Sequence, residues 1–129
     1  MDVALDMFAM ECEDYTLAMP RGEVDAFTGH TFRGRLIELV TTADRPLLVD
    51  MSGVPFFSAA GLNAVVAAEK LSRSRGVPIA YFGLMPCVER PFRITGVDKV
   101  ALICPTMQDA IWCVRPLSDA EIESWDLSE

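Results

Sequence analysis

The chain has 129 residues, 51% of them hydrophobic and 23% charged, which suffices for one self-supporting domain and is too apolar for a disordered chain. Its net charge of -8 sits at the ends: residues 1–14 and 116–129 each hold five acids and no base, whereas residues 15–115 hold nine acids and all 11 bases. A nearly neutral body without a basic cluster lacks the footprint that counterion release from nucleic acid requires, so direct DNA or RNA binding is not expected.

Taken in chain order, residues 1–14 read as an acidic N-terminal segment ahead of a domain over 15–114, with an acidic extension over 115–129. "YTLAMPRGEVD", Tyr15 to Asp25, has the apolar alternation of a strand bending at Pro20 to Gly22. In "TGHTFRGRLIELVTT" the residues Phe32, Leu36, Leu39 and Val40 form one apolar stripe of a helix. "RPLLVDMS" is nearly continuous in its apolar residues, as a short strand covered on both faces must be. A helix is expected from about Ala59 to Arg75, stopped by Gly76, followed by the strand "VPIAYFG". In "MPCVERPFRITG", Pro91 lacks a backbone donor and crowds the carbonyl of Cys87, so a helix is expected to begin, or to kink, near Pro91. "KVALICP" reads as a last strand, and "TMQDAIWCV" as a helix opened by Thr106 with Asp109 three residues on. Ser118 and Glu121 repeat that device ahead of a short final helix. Strands alternating with helices predict an α/β fold with a largely parallel sheet, its first strand the antiparallel member.

The chemistry that is missing narrows the function. Ser58 is flanked by Phe56 and Ala60 rather than the glycines of a nucleophile elbow, and His30 is the only histidine. Neither glycine-rich phosphate cradle is present. The carboxylates Glu23, Asp25 and Asp50 read as turn, capping or exposed acids rather than an acid/base pair. Cys12, Cys87, Cys104 and Cys113 have no zinc spacing and are expected to be free, with Cys104 and Cys113 kept as a possible redox pair. No metal, cofactor or catalytic residue is nominated. The N-terminus has acids where a secretion signal needs bases, so a reducing cytoplasm is expected. Residues 51–68 carry no charge, but Pro55, Ser58, Gly61 and Asn63 break that run, so no membrane span is assigned. What remains is a protein that works through a surface.

"GEVD" after the first strand, "LLVDMSGVPFFSAAGL" in the middle, then "RGVPIAYFG" and "RITGVDKV" together resemble the STAS domain of bacterial anti-sigma factor antagonists, over roughly residues 15–114. The resemblance implies a small mixed sheet, mostly parallel, flanked by helices. It also implies a regulatory module that binds an anti-sigma factor, usually a serine kinase, and so frees a sigma factor until the kinase phosphorylates it. In such proteins an acid, the acceptor serine, a second hydroxyl residue and a glycine precede the apolar helix. With that glycine at Gly61, Ser58 stands at the acidic position, Ala59 at the acceptor and Ala60 at the second hydroxyl. The expected docking residues are Asp25, Phe57, Ser58, Ala59, Ala60, Gly61 and Asn63. Phe56 and Phe57 point opposite ways in an extended strand, and Phe57 is taken as the contact residue. Ser58 is expected either to cap the helix through the amide of Ala60 or Gly61 or to serve as a displaced phosphoacceptor. Asp25 fits either a helix cap or turn acid or a partner contact. The rival reading is an adaptor subunit of a signalling or transporter complex that involves no sigma factor.

Overall fold

The computed structural model describes residues 5–116 and 119–124. Its strands are β1 (Asp6–Glu11), β2 (Thr16–Arg21), β3 (Leu47–Asp50), β4 (Ile79–Phe82) and β5 (Leu102–Cys104). The helices are α1 (Gly29–Thr42), α2 (Ala59–Arg75), α3 (Pro86–Thr95), α4 (Met107–Val114) and α5 (Asp119–Glu123). The five strands form one sheet in chain order, with β1 antiparallel to β2 and every later pair parallel. A mixed, mostly parallel sheet flanked by helices is the expected class.

The apolar patterns account for the layers. Phe32, Leu36, Leu39 and Val40 of α1 are buried, as their spacing predicts, and α1 lies side by side with α2. With Val65 and Ala68 of α2 and Phe92 of α3 they cover Ala18, Leu47, Val49, Ile79 and Tyr81 on one face of the sheet. Ala110 and Val114 of α4 cover Leu48, Ala80, Phe82 and Cys104 on the other. β3 and β4 are therefore buried on both sides, which is why their sequences are apolar without alternation.

Three expectations are corrected. Residues 6–11 are not merely an acidic lead-in: they pair with β2 over six consecutive positions, and Leu5, Met7 and Ala9 pack into the core. The folded unit accordingly begins before residue 15. The antiparallel member is this strand, while the one expected to be antiparallel to the rest, β2, runs parallel to β3. Finally, of the two alternatives at Pro91, a helix beginning there or one kinking there, the first is overturned: α3 starts at Pro86 and carries Pro91 inside it. Pro86 suits the first helical position, where no amide partner is required. The single bond that Pro91 forfeits, to the carbonyl of Cys87, is offset by burial of Val88 and Phe92 on the same helix.

Gly76 ends α2 in the left-handed conformation, at φ 68°, as its position predicts. Thr106 accepts from the amide of Asp109 at 3.2 Å to open α4. Ser118 lies outside the described residues. Among those described, Glu121 of α5 takes a two-pronged contact from Arg115, at 2.9 and 2.7 Å.

Candidate partner-binding site

The site forms where β2 runs out. Beyond Gly22 the chain turns alongside the loop that joins β3 to α2: the Val24 amide donates to the Phe56 carbonyl at 2.9 Å, and the Ser58 amide to the Val24 carbonyl at 2.8 Å. This parallel bridge, Val24 to Phe57, fixes the residues just before α2 against the turn that opens α1. At that turn the Asp25 carboxylate accepts from the amides of Phe27 (2.9 Å) and Thr28 (3.0 Å), and the Asp25 amide donates to the Thr28 hydroxyl. Bonding to the Thr28 amide above all, and then to that of Phe27, holds the Asp25 carboxyl below the usual carboxylate range. Asp25 is thus a turn acid, half exposed beside the loop.

Phe57 is the anchor from beneath. Its ring meets Phe32 edge-on at 5.4 Å and stacks on Phe92 at 5.3 Å, and only 3% of the residue is exposed. Gly61 leaves room for it: a Cβ there would come within 2.7 Å of the ring. The two helix N-termini are equally tight, because a Cβ on Gly29 would lie 2.5 Å from that of Ala60. These contacts correct two expected docking residues. Phe57 and Gly61 are buried, so they position the surface rather than form it. The two phenylalanines do point opposite ways, but the exposed one is Phe56, at 49%.

Above this anchor Ala59 and Asn63 are exposed, one turn apart on α2, with Ala60 half-buried between them. Ser58 occupies the position just before the helix, and its carbonyl takes the Leu62 amide at 3.1 Å. Its side chain makes no capping bond, contrary to expectation; the Oγ is buried and has no hydrogen-bond partner. The Ser58 backbone is extended, with ψ -179°, and its amide is held by the Val24 carbonyl.

The sequence pattern missed the apolar rim of the site. Phe27 is 84% exposed in the α1 turn, and Met85, also exposed, precedes α3, whose Cys87 thiol donates to the Pro55 carbonyl at 3.2 Å. With Phe56, they place large apolar side chains on all three segments that meet here. A large apolar residue inside a turn, as in "DAFTG", was the available signal.

The expected redox pair lies elsewhere, on the far face of the sheet. There Cys104 ends β5, with the exposed Cys113 of α4 close by. Burial, with Cys113 adding to it, pushes the Cys104 thiol up to about 11, away from the reactive thiolate. Cys12 and Cys87 are free as well. No helix among the described residues is long and apolar enough to cross a membrane.

The sequence model of the STAS domain matches residues 11–110. The "Anti-sigma-F factor antagonist RsfB" of Mycobacterium tuberculosis is 30% identical over 95 residues, 73% of this chain and 76% of that protein. Among solved structures, an anti-sigma factor antagonist from Mycobacterium paratuberculosis superposes with a TM-score of 0.75 at 26% identity, over 88% of this chain and 96% of that one. A putative anti-sigma factor antagonist from Thermotoga maritima, 22% identical, shares the fold with a TM-score of 0.76 over 85% and 95% of the two chains.

Proposed function

The chain belongs to the STAS domain family, and from that premise we propose that it is a cytoplasmic anti-sigma factor antagonist, without enzymatic activity, that docks a serine-kinase anti-sigma factor and is not released by phosphorylation. The observation that carries this reading is the exposed methyl of Ala59 at the first position of α2, where the family resemblance puts the phosphate acceptor. A phosphate at a helix N-terminus costs the fold little, because unpaired amides and the dipole favour negative charge there. Its effect falls on the interface, where about two negative charges and their hydration disrupt a packed surface. Ala59 has no atom to carry it. Ser58 is a poor substitute, since a kinase would have to draw its buried Oγ out past the bridge with Val24. Docking then rests on Ala59, Ala60 and Asn63, the backbone at Ser58, the turn at Asp25, and the apolar rim of Phe27, Phe56 and Met85.

The test mixes the full chain with a serine-kinase anti-sigma factor and ATP and reads both complex and intact mass. The expected result is an unmodified antagonist that stays bound, while Ala59→Ser gains one phosphate and dissociates. A phosphate on Ser58, or a wild-type complex that ATP dissolves, contradicts the reading. A stable stoichiometric complex with a protein that is no anti-sigma factor would favour the adaptor reading instead.

A further inference from the structure

The outer edge of β1 has the features of a second contact surface, independent of the α2 face. Two bonds fix which way the strands point. The Cys12 amide donates to the Tyr15 carbonyl, and the Thr16 amide to the Pro46 carbonyl ahead of β3, both at 2.8 Å. Tyr15, Leu17, Met19 and Arg21 therefore turn their backbone groups toward β1, where their registered partners are Cys12, Met10, Phe8 and Asp6. By alternation the N–H and C=O groups of Met7, Ala9 and Glu11 point out of the sheet, with no further strand beside them among the described residues.

Exposed edges in soluble proteins are commonly blunted by lysine, proline or a bulge. β1 has none of these: "DMFAME" pairs without interruption over its whole length. Its side chains are also unusual for an edge. Phe8 and Met10 are 58% and 50% exposed, on the face that α4 covers over β3, β4 and β5. On the α1 face, a shallow groove of about 90 Å³ runs along the strand between Ala9 and Glu11 on one side and Leu39, Thr42 and Ala43 on the other.

Charge selects the occupant. Residues 5–14 hold Asp6, Glu11, Glu13 and Asp14 and no base. Arg21 is registered opposite Asp6, and Arg45 is engaged by Asp44 and by the carbonyls of Cys12 and Glu13. Pairing with a second copy would bring together two strands whose only charges are acidic, which like-charge repulsion disfavours. The segments of the chain outside the described residues, 1–4, 117–118 and 125–129, hold no lysine or arginine to offset it. We infer that β1 is a docking edge for a basic, extended segment of a partner protein, which adds as a sixth strand: apolar side chains lie beside Phe8 and Met10, and flanking lysines or arginines meet Asp6 and Glu11. Backbone pairing supplies the adhesion, and the flanking charges supply the choice of partner.

The experiment titrates ¹⁵N-labelled full chain with the peptide KTVTVTVTK and with its acidic twin ETVTVTVTE. The basic peptide is expected to slow hydrogen exchange at the amides of Met7, Ala9 and Glu11 and leave those of Phe8 and Met10 protected throughout. The acidic twin should bind about tenfold more weakly or less, and salt should narrow the gap. Ala9→Pro removes an outward amide without touching the β1 to β2 ladder, so it should keep the fold and lose the peptide. Should that variant unfold, Glu11→Lys, an exposed end-of-strand change that reverses one of the charges the peptide's lysines meet, should fold and lose the preference for the basic peptide, and serves in its place. Equal binding of both peptides, shifts centred away from β1, no binding of the basic peptide, or an unliganded dimer with Met7, Ala9 and Glu11 already protected would each overturn the proposal.

Discussion

Two helices of this protein begin in opposite ways. At α4 the Thr106 hydroxyl accepts from the Asp109 amide and bonds to its carboxylate, so the first turn is closed by its own side chains. At α2 no side chain caps the first turn, no acid lies within it, and its exposed first residue is Ala59. The first arrangement is local and could be read from four residues. The second is held by tertiary contacts alone: the Phe57 ring between Phe32 and Phe92, the bridge to Val24, and the contact of Gly29 with Ala60. A helix start fixed from below in this way can leave its outer surface free for a partner, whereas a capped one has already spent its amides on itself.

If the α2 start depends on its anchor, Phe57→Ala should be the most damaging change, costing about 3–5 kcal/mol in urea unfolding by opening a cavity between two rings. Gly61→Ala comes next. In an ordinary helix interior that change gains about 1 kcal/mol, but here the added Cβ enters the Phe57 ring at 2.7 Å, and a net loss of about 1–3 kcal/mol is expected. Farther along α2, Glu69 is 8% exposed, and burial, only partly opposed by Arg73, lifts its carboxyl to about 7. The folded state then holds the proton that the unfolded chain gives up near its ordinary 4.5. Stability should therefore fall as pH rises from about 4.5 to about 7, by on the order of 1–2 kcal/mol, and Glu69→Gln should flatten that slope. The smallest effects test the comparison itself. Thr106→Ala should cost about 1 kcal/mol, whereas Ser58→Ala, which removes a buried hydroxyl without a partner, should be neutral or slightly stabilising. Equal losses at the two positions would mean that the α2 start is capped after all.

The sequence disclosed most where one residue type has one physical use. The apolar stripe of α1, the boundaries of α2 and its glycine stop, and the Thr106 cap follow from periodicity and backbone preference, and all appear as read. β1 was hidden because its acids suggest a solvated tail, while its pairing with β2 depends on a turn that carries no hairpin dipeptide. The start of α3 was hidden because Pro91 dominates its pattern, although Pro86 is the residue that opens it. At the site, alternation established that Phe56 and Phe57 face opposite ways but not which one faces in. That choice lies with Gly61, Phe32 and Phe92, which are distant in sequence or lack a side chain to signal it. For Ser58, residue type and place allowed both a cap and a displaced acceptor, and neither could show that its hydroxyl is buried and unbonded.

The central claim is that an uncharged helix start is what the partner holds, and a charge placed on Ala59 addresses it most directly. Ala59→Glu puts one carboxylate where the amides and helix dipole favour it, so the variant should keep or gain about 0.3–1 kcal/mol of stability. Its affinity for the serine-kinase anti-sigma factor, measured by calorimetry beside the wild type, should fall by about tenfold or more. A folded Ala59→Glu chain that binds as tightly as the wild type would contradict the account.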